Sequence, residues 1–195
     1  MTLPLSKKEE KFTYGDYLSW PDEERWELIE GVPYDMTPAP SRFHQEILME
    51  MARQFANYLR NKACKVYVAP FDVRLLKGDE KDEEIETVVQ PDLVVVCDPA
   101  KLDEKGCRGT PDLVMEITSP ATARKDQREK FLLYEKAGVK EYWIVNPTDK
   151  IVTVFILNEN RKYGRPEIYS DEDSIGVGLF SGDLVIDLKA AFPSK

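Results

Sequence analysis

Two acidic side chains stand inside stretches whose other residues read as buried strand. Asp92 opens Pro91-Asp-Leu-Val-Val-Val-Cys97, and Glu116 interrupts Pro111-Asp-Leu-Val-Met-Glu-Ile-Thr118. Runs this apolar and β-branched are typical of strands covered on both faces. A carboxylate there is costly to desolvate unless it is paired, hydrogen-bonded or bound to a metal. Two of them on successive strands, with the carbonyl of Ile117 as a third oxygen, form a hard donor set suited to Mg²⁺ or Mn²⁺. An ion so held can activate water and offset charge building on a phosphate oxygen. Lys130, on the helix predicted to follow, is the cationic helper such a site calls for.

Each residue also has a plainer reading. Asp92 follows a proline at a strand entry, a pairing that Pro111-Asp112 repeats. Lys130 lies one turn past Asp126 and one turn before Tyr134, so an exposed Asp126–Lys130 pair would be worth only about 0.3–0.5 kcal/mol. His44, in the first turn of a long helix, can simply cap or pack. Glu27 breaks the apolar run Trp-Glu-Leu-Ile much as Glu116 breaks its own, which makes it a candidate for the same cleft. Glu116 carries the stronger functional signal, because strand alternation sets Asp112, Val114, Glu116 and Thr118 on one face and Leu113, Met115 and Ile117 on the other. With one histidine, no GxSxG and no glycine-rich phosphate loop, a nucleophilic triad and a nucleotide cradle have little support.

The elements that must position these groups follow from periodicity and punctuation. Thr13 caps a short helix to about Trp20, and residues 25–36 read as a hairpin turning at Glu30-Gly31, closed off by Pro38 and Pro40. Ser41 caps the longest helix, whose apolar stripe is Phe43, Ile47, Met51, Phe55 and Leu59. An extended segment, 64–76, bends at Pro70 and leads into an acidic loop, 77–89, expected to be mobile. The Asp92 and Glu116 strands come next, joined by a polar crossing from Asp98 to Thr110. Thr122 caps a helix to Ala137, with Gly138 as its C′ residue. Glu141–Val145 is then a strand parallel to its predecessor, and further strands fall at 151–157, 163–169 and 184–188. This order predicts one α/β domain, 12–195, built on a mixed sheet flanked by helices, with residues 1–11 as a flexible tail.

Composition narrows the class. No apolar run approaches the roughly 20 residues that span a bilayer, and the first ten residues lack the apolar centre of a signal peptide, so no membrane partner and a cytoplasmic location are expected. Three cysteines in no CxxC spacing argue against structural zinc, and Cys97 is expected as a small core residue. The net charge is −9, unlike the basic footprint of proteins that coat nucleic acid. That charge is concentrated at 22–25, 77–86 and 171–173, while 124–140 is locally basic.

Taken together, Trp26-Glu-Leu-Ile-Glu-Gly31, His44, Pro91-Asp-Leu-Val-Val95, Pro111-Asp-Leu-Val-Met-Glu-Ile-Thr-Ser-Pro120, the Asp126-xxx-Lys130-xxx-Tyr134 spacing and Gly138-Val-Lys-Glu-Tyr-Trp-Ile-Val145 resemble the Uma-type restriction endonuclease family of the PD-(D/E)XK nuclease superfamily. The resemblance covers roughly residues 12–193. It implies a restriction endonuclease-like mixed β-sheet flanked by helices, with additional β-strands at both ends, and Mg²⁺-dependent hydrolysis of DNA. Asp92 and Glu116 match the metal-binding carboxylates. The superfamily's usual lysine, two residues after the glutamate, is Thr118 here, and Lys130 is its natural substitute, with Glu27 or His44 in support. Cutting both strands of a duplex needs two active sites or a re-binding step, so a homodimer is expected. The readings from other classes are a catalytically inactive nucleic-acid-binding or scaffold protein that retains the fold, and a metal-dependent phosphoesterase acting on something smaller than DNA.

Overall fold

The computed structural model describes residues 11–21, 25–36, 39–119 and 125–192. The tail expected at 1–11 therefore lies outside the described residues except for Lys11. Pro38, the Thr122 cap and the side chain of Asp126 also lie outside them.

The chain opens with α1 (Tyr14–Tyr17), held by a capping box in which Thr13 and Asp16 satisfy each other's backbone N–H groups. The hairpin of β1 (Trp26–Ile29) and β2 (Val32–Asp35) turns at Glu30 and Gly31, whose φ values of 51° and 86° match the left-handed pair that a two-residue hairpin turn requires. The long helix α2 (Arg42–Leu59) starts at Ser41, whose side chain accepts from the His44 N–H. Then come β3 (Lys65–Val68), β4 (Val73–Arg74), β5 (Val88–Val89), β6 (Leu93–Val96), β7 (Leu102–Asp103), β8 (Gly106–Arg108) and β9 (Leu113–Ile117). A π-helical segment, Lys125–Lys130, runs into α3 (Phe131–Ala137), which ends on Gly138 at φ 88°. The chain finishes with β10 (Glu141–Asn146), β11 (Ile151–Ile156), β12 (Glu167–Ser170), β13 (Ser174–Gly176), β14 (Val185–Asp187) and α4 (Leu188–Ala191).

The expected mixed sheet has the order β12-β11-β10-β9-β6-β3. Its one parallel pair, β9 with β10, is joined through α3, as a strand–helix–strand crossover demands. The α2 stripe of Ile47, Leu48, Met51, Phe55 and Leu59 packs with Leu93, Val95, Leu113, Met115 and Trp143. The other face offers Val94, Val96, Val114, Tyr142 and Ile144 to Tyr134, Val139, Val73, Val89 and Cys107. Both faces are thus covered, which explains the nearly continuous apolar runs.

Three features depart from expectation. A second six-stranded sheet, β2-β1-β5-β4-β8-β7, recruits the hairpin and parts of the segments expected as an acidic loop and a polar crossing. The acidic stretch is tied at several points: the Arg74 guanidinium, 0% exposed, binds both carboxylate oxygens of Asp82, and Lys77 pairs with Glu86. Cys97 is joined to Cys64 by a disulfide, while Cys107 is free and buried. The β3–β6 register, Lys65 with Val96, sets the two cysteines opposite one another, which their spacing of 33 residues conceals. The cytosol keeps such thiols reduced, so wherever the cytoplasmic expectation holds the pair is a dithiol. Among the described residues no helix is long and apolar enough to cross a membrane.

Candidate active site

Strand pairing brings the two singled-out carboxylates together. The β6–β9 register ends with Leu93 opposite Met115, and one step further sets Asp92 opposite Glu116. Both lie on the face that carries Val94 and Val114 rather than on the α2 face. Asp92 Oδ2 accepts the N–H of Ile117 at 2.7 Å. That bond uses the Ile117 N–H and not its carbonyl, the oxygen expected as a metal ligand. The Pro111-Asp112 repeat does the same thing at the opposite end of the strand pair, where Asp112 Oδ2 accepts the N–H of Cys97 at 2.8 Å. The plain strand-entry role is thus genuine for both aspartates. What sets Asp92 apart is its other oxygen: Oδ1 lies 3.1 Å from His44 Nε2, whereas Asp112 Oδ1 meets the exposed Lys140.

Glu116 is 4% exposed, and its Oε1 accepts from two donors, Lys130 Nζ at 2.8 Å and the Tyr134 hydroxyl at 2.7 Å. Lys130 and Tyr134 stand four residues apart, so they share a helix face, and the crossover to β10 lays that face over Glu116. Lys130 is 2% exposed and also reaches Glu27 Oε1 at 2.7 Å. The surface reading of Lys130 is thereby set aside. Glu27, fully buried, arrives from β1 in the second sheet and accepts the N–H of Gln90 at 3.1 Å. Thr118, at the superfamily's usual lysine position, is committed elsewhere: its N–H and hydroxyl both donate to the carbonyl of Val145.

The structure therefore gathers Asp92, Glu116, Lys130, Glu27 and His44, and adds two residues the sequence did not single out. Tyr134 enters the sequence pattern only through its spacing from Lys130. Gln90 acts through its backbone, which leaves no side-chain signature, although its place two residues before Asp92 puts it on the same strand face. Burial, reinforced by the nearby charges of Glu116 and Glu27, holds the Tyr134 hydroxyl well above the usual tyrosine range, so it stays protonated and donates.

Electrostatics make the cluster unusual. Glu116 and Glu27 face one buried ammonium, and a third carboxylate, Asp92, stands opposite Glu116 on the neighbouring strand beside His44. Among the described residues no group of three or more His, Cys, Asp or Glu is arranged as a ready-made ion cage. The donors are nonetheless of the right kind for a small hard cation that binds through one or two carboxylates and keeps several waters.

The fold and these residues place the chain among known proteins. The profile of the Uma2 family, described as putative restriction endonuclease, matches residues 14–189, and the chain belongs to that family. A solved structure from Anabaena variabilis, described as a putative nuclease belonging to DUF820, aligns with a TM-score of 0.73 at 20% identity, over 93% of this chain and 97% of its own. That likeness establishes the restriction endonuclease-like α/β fold, with its mixed sheet, flanking helices and added strands. An uncharacterised Synechocystis protein, slr1290, is 25% identical over 153 residues, which is 77% of this chain and 76% of its own.

Proposed function

We propose that this chain is a metal-dependent endonuclease that hydrolyses DNA phosphodiester bonds. The observation that carries the reading is the buried Lys130 ammonium shared by Glu27 and Glu116, with Asp92 opposite Glu116. Asp92 and Glu116 would hold Mg²⁺ or Mn²⁺, which supplies a water of lowered pKa and an electrostatic partner for a phosphate oxygen. The chain's own residues do the rest. Lys130 presents a fixed positive charge to the developing charge of the phosphoryl group, and such preorganised charge acts chiefly in the transition state. Glu27 also holds that ammonium, and Tyr134 fixes the Glu116 carboxylate. His44, when Nε2 carries its proton, donates to Asp92 and keeps that carboxylate turned. A symmetric pair of chains would bring two such sites to one duplex.

The test is cleavage of supercoiled plasmid with Mg²⁺ and then Mn²⁺, with single-stranded DNA and RNA run alongside. Asp92→Asn and Glu116→Gln should each abolish cutting while leaving the fold intact. The asparagine keeps an oxygen for the Ile117 N–H, and the glutamine keeps the shape of the glutamate. A wild-type protein inert on every substrate with either ion would refute the reading in favour of a scaffold that retains the nuclease fold.

A further inference from the structure

The proposed substrate is a polyanion, and several of the described cations near the cleft are already matched. In the locally basic stretch 124–140, Lys130 is shared by Glu27 and Glu116, Lys136 is paired with Glu30, and Lys140 is paired with Asp112. One guanidinium beside the site is different. Arg25 precedes β1 and lies two residues before Glu27, a spacing that keeps both side chains on one face of an extended chain. It is only partly exposed. Its Nε and Nη2 both point at Gln90 Oε1, at 3.3 and 2.9 Å, and no ion pair joins it to a described carboxylate.

Gln90 is not free to turn away. Its Nε2 donates to Asp72 Oδ1 at 2.9 Å and to the Tyr17 hydroxyl at 3.0 Å, and its own N–H is taken by Glu27. Asp72 is in turn gripped by the hydroxyls of Tyr17 and Tyr14. Because a carboxylate only accepts, Asp72 fixes the amide nitrogen on its own side and forces the amide oxygen toward Arg25. A chain of four residues thus holds one guanidinium at a set place, two residues before Glu27 in the chain, against a neutral partner, with no described carboxylate on it.

We propose that Arg25 is a phosphate-binding residue, taking a backbone phosphate of the nucleic acid next to the one facing Lys130, with Gln90 and Asp72 holding it in position. This rests on the nuclease reading of the site. The guanidinium fork suits two phosphate oxygens at once, which an ammonium cannot match. The contact is to the backbone, so it strengthens binding to all sequences alike.

The experiment is binding of a short labelled duplex of arbitrary sequence, followed by fluorescence anisotropy over a range of salt with Ca²⁺ as the divalent ion. Each phosphate contact adds about 0.9 to the slope of log affinity against log salt. Arg25→Gln should lower that slope by about 0.9, and Arg25→Lys should keep the slope while binding less tightly, because it retains charge and loses the fork. Arg53→Gln, which removes an exposed partner of Glu50 on α2, should leave the slope alone. An unchanged slope in Arg25→Gln, with wild type binding normally, overturns the role of Arg25 and leaves the nuclease reading standing. A wild type that neither binds nor cuts overturns both. Arg25→Lys separates charge from fork and guards against misfolding as the cause, because a retained slope shows a folded, charged site; wild-type affinity in that variant would overturn the role of the fork.

Discussion

Lys130→Met isolates what the buried ammonium does. The methionine keeps most of the side chain's volume but leaves Glu27 and Glu116, 0% and 5% exposed, without the cation that both face. An exposed helical pair would cost no more than about 0.5 kcal/mol when broken. Breaking a buried one costs about 3–5 kcal/mol, because the stranded charge cannot be resolvated. Tyr134 still donates to Glu116 and Gln90 still donates to Glu27, which points to the lower half of that range. With a urea m-value of roughly 2 kcal/mol/M, the midpoint should fall by about 1.5–2 M. Glu116→Gln in the same chain removes one stranded charge, so the double variant should be more stable than Lys130→Met alone, a coupling of about 0.5–3 kcal/mol. Added Mn²⁺ should restore part of the single variant's loss by binding the folded state. A midpoint shift below about 0.3 M, equivalent to an exposed pair at that m-value, would refute the buried-cation argument, as would a double variant less stable than the single.

Tyr134→Phe keeps the ring against Tyr142, 5.0 Å away between centroids, and deletes only the hydroxyl on Glu116. Losing a hydrogen bond to a charged group costs about 1.5–3 kcal/mol, and Mn²⁺ calorimetry should show weakened but surviving affinity. Equal affinity would remove Tyr134 from the site. Glu135 takes Lys162 Nζ and the Tyr163 N–H, and the lysine's hydrogen bond holds its carboxyl below the usual range. A depressed folded pKa gives stability that is present above the unfolded carboxyl's pKa and lost as pH falls through the folded value. Glu135→Gln should therefore unfold less steeply on acidification than wild type, followed by urea midpoints from neutral pH downward. Parallel acid limbs would contradict the assignment.

What the sequence made legible was whatever has a local period. The alternation in β9 put Glu116 on the face opposite Met115, and Glu30-Gly31 and Gly138 marked a hairpin turn and a helix end where they occur. The second sheet was invisible because β4, β5 and β7 are two residues each, too short to show a period, and its pairings join distant segments such as Leu28 with Val88. The same limit hid the Cys64–Cys97 bond and left Lys130 undecided. Helical spacing relates Lys130 to its neighbours along the helix, but only the β9–α3–β10 crossover says which face lies over Glu116.

Burial of charge does not by itself mark a functional centre here, and a comparison within the chain shows why. Arg74 is as deeply buried as Lys130, and it too faces two carboxylates, Asp82 and Asp103. Those partners are 21% and 44% exposed, and Lys105 and Arg108 also approach Asp82, so water and added cations meet the acidic charge. That cluster ties the acidic stretch to the second sheet, and a charge imbalance there is screened. Around Lys130 both carboxylates are sealed, with a third, Asp92, set opposite Glu116. An apolar trio of similar volume would often be as stable or more so. Selection for stability alone gives no reason to gather carboxylates in a dry place. A cation that arrives with the substrate or the reaction does.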